Sequence, residues 1–203
     1  RLRRDTAEYL EWVDKAFPGI DYMFIGQPDG WMNLDGDDAA AGWDKLRERG
    51  RTGRFSDYAW AFNLDLRRRL MEKHPEKKFT VFAYGATRRP PTTVDTVPTN
   101  MAVVFCQTSQ GWMAPQTEER DRAEWLPKLS RPDQLMIWEY YLSHAPRYQF
   151  PPVPIIFTEL MRRNFQGLYG RCVGFLVEVA WTTPEETARF KRTTGRPGLT
   201  HLM

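Results

Sequence analysis

The chain has 203 residues, of which 41% are hydrophobic and 27% charged, and a net charge of +3. This composition predicts one ordinary globular domain, and no apolar stretch approaches the roughly 20 residues of a membrane-spanning helix. Because basic residues are interspersed with acidic ones and form no basic stripe, nucleic acid is not expected as a partner.

Short apolar runs alternate with amphipathic stretches along the whole chain. The runs are rich in β-branched and aromatic residues and are predicted strands, whereas the stretches with apolar residues at helical spacing are predicted helices. Asp5 and Ser56 are the expected N-caps of two helices. A long loop from 33 to 55 is expected to contain one short helix. The predicted strands lie near 21–26, 79–84, 101–106, 134–140 and 172–178, and the predicted helices near 5–17, 39–49, 56–73, 118–129 and 155–168.

The alternation of strand and helix predicts an α/β fold with a parallel sheet and crossover helices. Long loops follow the strands, whereas the connections from each helix back to the next strand are short. This asymmetry favours a (β/α) TIM-type barrel with its functional face at the carboxyl ends of the strands. Five strands are fewer than eight, so the expected fold is part of a barrel, and a doubly wound open sheet is the alternative. The predicted division is a barrel domain or fragment over 1–181 and a polar segment over 182–203, interpreted as a truncated next unit.

Two glutamates stand at the ends of predicted strands, Glu139 after Leu-Met-Ile-Trp and Glu178 after Gly-Phe-Leu-Val. A carboxylate that ends an apolar strand is costly to bury alone, so it either finds a partner or takes part in chemistry. Strand alternation places Glu178 opposite the bulkier side of its strand, and we expect it to point into the barrel mouth. If Glu139 does likewise, the two carboxylates converge as glycoside hydrolysis requires. The alternative is a structural salt bridge to Arg147 or Arg171.

Aromatic residues make up 14% of the chain, and many fall at predicted loops and strand ends. Planar rings there suit the apolar faces of sugars, although core packing is the competing explanation. Asp29 lies in a Pro-Asp-Gly sequence, which is first of all a turn. The residues predicted to line a sugar site are Asp29, Trp31, Tyr84, Tyr140, Tyr141 and Trp181.

No metal or cofactor is expected. Asp35, Asp37 and Asp38 lack the spacing and the closing glutamate of a calcium loop, and the three histidines have no metal-ligand spacing. No dinucleotide-binding, phosphate-binding or serine-hydrolase motif occurs. Cys106 and Cys172 both lie in predicted strands, where a small buried hydrophobe is favoured over a disulfide.

Five segments in order, PDGWMN, SDYAWAFNLDLRRRLMEKHPEKKFTVFAYGATRRPP, MAVVFCQ, LMIWEYY and GFLVEV, resemble the bacterial family called domain of unknown function 4838. The resemblance covers about 22–179 and is most specific over 56–91. It implies a glycoside-hydrolase-like barrel in a secreted or surface protein that processes carbohydrate. Members of that family often carry cysteines after the Pro-Asp-Gly loop, and 32–41 has none.

These observations lead to a hypothesis of function with open alternatives. The chain is expected to be a glycoside-hydrolase-like protein that acts on a polysaccharide or glycan, with Glu139 and Glu178 as the acid pair. The alternatives are a non-catalytic carbohydrate-binding domain and a structural domain of a larger surface protein. The resemblance implies an extracellular or periplasmic location and a place in a larger multidomain chain.

Overall fold

A computed structural model describes residues 2–26, 36–107, 115–142, 158–179 and 192, with the backbone alone at 115–117, 141–142 and 178–179. Five α-helices and five β-strands make up this part of the chain, together with three short 3-10 turns. The helices are α1 (Leu2–Ala16), α2 (Gly36–Arg49), α3 (Ser56–Met71), α4 (Pro115–Ala123) and α5 (Thr158–Leu168). The strands are β1 (Tyr22–Ile25), β2 (Lys78–Ala83), β3 (Met101–Gln107), β4 (Leu135–Leu142) and β5 (Gly174–Val179).

The five strands form one parallel sheet in the order β1-β2-β3-β4-β5. Every pair of neighbours is parallel, including β2 and β3, where Phe79 is paired with Met101. The α/β class and the prediction of parallel, adjacent strands are therefore confirmed. The connection between β2 and β3 contains only a 3-10 turn, Gly85–Thr87, and still returns the chain in the parallel direction.

The order of the strands has no point at which it reverses. A doubly wound sheet requires such a switch point, because its crossovers run in both directions and place helices on both faces. The doubly wound alternative therefore does not describe these five strands, and their order is compatible with part of a barrel. The predicted segment 182–203 lies outside the described residues apart from residue 192. None of the described helices has the length and apolar character needed to cross a bilayer.

The core lies between the helices and one face of the sheet. Its strand residues all have odd numbers, as in Val81, Val103 and Ile137, because alternate side chains of a strand point to the same face. The rings of Trp60 from α3 and Trp125, which follows α4, lie 5.4 Å apart within it. Other helix residues of the core are Leu10, Leu66, Leu70 and Leu168. The odd-numbered face is thus the helix-covered face.

Two predicted N-caps are wrong. α1 begins at Leu2, so Asp5 lies in its first turn, and α3 has Phe55 at the N-cap position. Ser56 is the first residue of α3 and is buried, and its hydroxyl donates to the carbonyl oxygen of Arg89 over 2.6 Å. The Ser56 hydroxyl therefore bonds to a carbonyl that is distant in the sequence, and it does not cap the start of α3 as the local pattern predicts.

The loop between β2 and β3 is fixed to α4 and to the residues that follow it by partly buried ion pairs. Arg88 donates to Asp121 over 3.0 Å, and Arg89 donates to Glu124 over 2.5 Å. The indole of Trp125 also donates to the carbonyl oxygen of Arg88 over 2.7 Å. Hydrogen bonds between charged groups are stronger than those between neutral groups. They therefore hold the loop at the carboxyl end of β2 in place.

The two cysteines are thiols, one buried in β3 and one half-buried just before β5. Cys106 is the small buried residue that its strand predicts, whereas Cys172 precedes its strand instead of lying within it. Burial raises the pKa of the Cys172 thiol, against the opposing effects of a hydrogen bond from the Gly174 amide and the charge of Arg122. Cys172 is therefore a poor nucleophile at neutral pH.

Candidate functional site

Aromatic side chains gather on the face of the sheet opposite the core helices. They have even numbers, and Tyr84 continues the alternation because its backbone is extended after β2, with φ −142° and ψ 143°. Phe24 is 45% exposed, and the other members are partly exposed. The aromatic face, as we call this set, consists of Phe24, Phe82, Tyr84, Trp138 and Tyr140.

Ring contacts join three strands across the aromatic face. The ring centroids of Phe24 and Phe82 lie 4.6 Å apart, and those of Phe82 and Trp138 lie 5.6 Å apart, both in edge-to-face geometry. The second contact passes over β3, whose Val104 and Cys106 are smaller than the rings on either side. Edge-to-face pairs contribute about 0.5–1.5 kcal/mol each beyond the buried area. Phe24, Phe82 and Trp138 thus form a continuous layer, and Tyr84 and Tyr140 lie nearer the carboxyl edge on the same face.

Glu139 lies on the helix-covered face and has no exposed surface. Its register partner on β3 is Gln107, and the side-chain amide of Gln107 donates to Glu139 Oε2 over 2.6 Å. The oxygen of the same amide accepts a hydrogen bond from the guanidinium of Arg122 on α4. One glutamine side chain therefore connects a buried carboxylate with a cation.

The charge of Arg122 offsets that of Glu139 through this connection. Burial lowers the pKa of Arg122, and the negative charges of Glu119 and Glu139 oppose that change. An arginine keeps its proton even so, because the guanidinium is not deprotonated in proteins. The sequence offered Arg147 or Arg171 as partners, but Arg147 lies outside the described residues and Arg171 precedes the amino end of β5. Neither Arg122 nor Gln107 was predicted.

The two glutamates predicted as an acid pair are not register partners. Glu139 is paired with Val177, and the register between β4 and β5 shifts after that pair. The condition that Glu139 also points into the barrel mouth is not met, because Glu139 is fully buried and the odd-numbered positions of β4 belong to the helix-covered face. The side chain of Glu178 lies outside what the structure describes, so its role, and the distance between the two carboxylates, stay predictions.

The structure describes three of the six predicted sugar-lining residues, one of them by its backbone alone. Tyr84 and Tyr140 lie on the same face of the sheet near its carboxyl edge, and their part in a sugar site stays a prediction. The backbone of Tyr141 is part of β4, and its side chain is outside the description. Asp29, Trp31 and Trp181 lie outside the described residues.

The described residues offer no group of three or more His, Cys, Asp or Glu side chains arranged to hold a metal ion. Asp37 and Asp38, considered above for calcium, lie in the first turn of α2. Negative side chains there interact favourably with the helix dipole, which gives these two aspartates a local structural role.

Comparison of the chain with family models, with curated proteins and with solved structures finds no match. The family resemblance therefore stays a prediction.

Proposed function

We propose that this chain is a carbohydrate-binding domain built on part of a (β/α) barrel. The strand order without reversal and the placement of the core helices on one face support the barrel. In such a fold the opposite face of the sheet forms the barrel interior, and ligands bind at the carboxyl ends of the strands.

The observation that supports a sugar ligand best is the pair of tyrosines near the carboxyl edge of the aromatic face. Tyr84 and Tyr140 are partly exposed; Tyr84 follows β2 and Tyr140 lies in β4, so they stand at the same edge of the sheet with β3 between them. A tyrosine ring packs on the apolar face of a sugar while its hydroxyl takes part in hydrogen bonds. The family resemblance supports the same ligand class, and a location outside the cytoplasm within a larger chain belongs to the same proposal.

The buried position of Glu139 is more consistent with binding without hydrolysis than with a two-carboxylate mechanism. A general acid must come within hydrogen-bond reach of the leaving oxygen, and a glycosidase needs two carboxyl groups beside the scissile bond. Glu139 is fully buried on the other side of the sheet and already accepts from Gln107. Of the predicted acid pair, Glu178 alone then stays a candidate for catalysis.

Calorimetric titration with soluble oligosaccharides tests this proposal. A panel of cellulose, xylan, mannan, chitin and pectin fragments covers neutral, acetylated and acidic sugars. At least one should bind, and Tyr84→Ala and Tyr140→Ala should each raise its Kd about tenfold, the equivalent of one aromatic contact. Tyr169→Ala is the matched control, because Tyr169 is 89% exposed just after α5. No binding to any fragment would contradict the proposal.

An assay of released reducing ends on the same panel separates binding from hydrolysis. The binding proposal expects no turnover. If turnover occurs and is lost in both Glu139→Gln and Glu178→Gln, the glycosidase hypothesis replaces it.

A further inference from the structure

The pairing of β4 with β5 changes register directly after Glu139. Glu139 is paired with Val177, and the next pair is Leu142 with Val179. Two residues of β4 therefore stand opposite one residue of β5, which is the arrangement of a β-bulge. Bulges bend a strand and re-aim its side chains, and they are frequent beside binding sites. Tyr140 is one of the two residues in this bulge.

The carboxylate of Glu139 bonds to the bulge itself. Its Oε1 accepts a hydrogen bond from the backbone amide of Tyr140 over 3.0 Å, while its Oε2 accepts from Gln107 over 2.6 Å. Backbone donors in a protein interior need an acceptor, and a shift of register interrupts the regular supply of carbonyl oxygens. The carboxylate supplies an acceptor at that place.

A chain of contacts thus runs from α4 to the aromatic face. Arg122 donates to Gln107, Gln107 donates to Glu139, and Glu139 accepts from the amide of Tyr140. We infer that Glu139 is a positioning residue, which holds the bulge of β4 and so orients Tyr140 for the ligand. The inference rests on the proposed function for the ligand, but the hydrogen bond to the bulge can be tested without one.

An exchange of the two side chains tests the inference sharply. In Glu139→Gln alone, the new side-chain NH2 group faces the NH2 group of Gln107, and two donors cannot bond to each other. Rotation of the Gln107 amide by half a turn would place its NH2 group against the guanidinium of Arg122, which is also a donor. In the double variant Glu139→Gln with Gln107→Glu, the new glutamine accepts from the Tyr140 amide and donates to the new glutamate. That glutamate accepts from Arg122. The exchange therefore keeps the number of hydrogen bonds and the net charge.

Amide hydrogen exchange, measured residue by residue by NMR, gives the first result. In the wild-type protein the Tyr140 amide should exchange as slowly as that of Ile137 in the regular ladder of β4. In Glu139→Gln it should exchange at least about tenfold faster, while core amides such as Val103 change little. The exchanged double variant should restore the slow rate. Glu76→Gln, an exposed carboxylate, is the control.

Several results would overturn the inference: fast exchange of Tyr140 in the wild type, an unchanged rate in Glu139→Gln, or equal acceleration at all core amides. A double variant that does not fold, or that folds without protecting Tyr140, would also contradict it. These measurements remain decisive if Glu139→Gln alone does not fold.

The binding measurement then connects the bulge to the ligand. With the oligosaccharide that binds best, Glu139→Gln should raise the Kd about as much as Tyr140→Ala, and the double variant should restore it. If the wild type binds no oligosaccharide while Tyr140 responds as described, the proposed function fails and the structural part of the inference holds. If binding is normal in Glu139→Gln, the positioning role fails and the proposed function stands.

Discussion

Arg88 donates a hydrogen bond to the fully buried carboxylate of Asp121 over 3.0 Å, which joins the β2 to β3 loop to α4. Arg88 also donates to Glu118 of the same helix over 3.0 Å. The guanidinium is thus held by two carboxylates of one helix, and the loop that follows Tyr84 cannot move without breaking both pairs.

Removal of the Asp121 carboxylate should be strongly destabilising. In Asp121→Ala the mostly buried guanidinium of Arg88 loses its buried partner, and breaking a buried pair from one side costs about 3–5 kcal/mol. Because Glu118 still pairs with Arg88, we expect a loss of about 3 kcal/mol in the free energy of unfolding. Urea denaturation measures it, with Glu76→Ala as the exposed control. A loss below about 1 kcal/mol, the range of surface pairs, would contradict the prediction.

The strands and their order follow from local patterns in the sequence, whereas the face on which Glu139 lies does not. Each strand is a short apolar run with clear ends, and the observed bounds differ from the predicted ones by about two residues or less. In β4, however, Leu135 and Ile137 are matched by equally bulky Met136 and Trp138 on the other face. Size alone therefore does not decide which face meets the helices.

Register resolves the question, because Glu139 is paired with Val177 of β5 and with Gln107 of β3. Partners in a parallel sheet share a face, so Glu139 lies on the same face as the buried Gln107 and as Val177, which is 43% exposed. The contact between Gln107 and Arg122 also joins residues from a strand and a helix, and no local pattern contains it. A polar residue at the end of the otherwise apolar β3 was the available signal.

Two glycines of helices should respond to alanine in opposite ways. A Cβ on Gly42 of α2 would lie 1.8 Å from Cε1 of Phe55, so Gly42→Ala forces the buried ring to move and should cost about 1–3 kcal/mol. A Cβ on Gly167 of α5 would have no neighbouring atom within 4 Å. Gly167→Ala should therefore stabilise the protein by about 0.5–1 kcal/mol. Chemical denaturation of both variants gives the comparison. Similar effects of the two substitutions would contradict the packing of Phe55 on α2.

The carboxylate of Asp57 should contribute stability that disappears in acid. Burial alone would raise its pKa, but a hydrogen bond from the hydroxyl of Thr92 and bonds from the amides of Thr92 and Thr93 outweigh burial, so the pKa is lowered from 3.8. A lowered pKa in the folded state means that the unfolded state binds the proton more readily. The stabilisation is therefore complete above the unfolded pKa and is lost as the pH falls through the folded one.

The substitution Asp57→Asn tests this pH dependence. The difference in free energy of unfolding between wild type and Asp57→Asn should be constant from about pH 6 to 7 and should shrink below about pH 4. Asp95→Asn, which changes an exposed aspartate in the β2 to β3 loop that contains Thr92, controls for the general effect of acid. A difference that stays constant down to pH 2 would contradict the lowered pKa.

Two residues on opposite faces of the neighbouring strands β4 and β5 should differ sharply in their tolerance of substitution. Ile137 is fully buried on the helix-covered face, so Ile137→Ala should cost about 2–5 kcal/mol through lost burial and the cavity left behind. Leu176 is 43% exposed on the opposite face of β5, and Leu176→Lys should cost less than about 0.5 kcal/mol. Urea denaturation of this chain measures both. A large cost of Leu176→Lys would mean that other parts of the chain or a second copy cover this face, and sedimentation of the wild type would then separate those two causes.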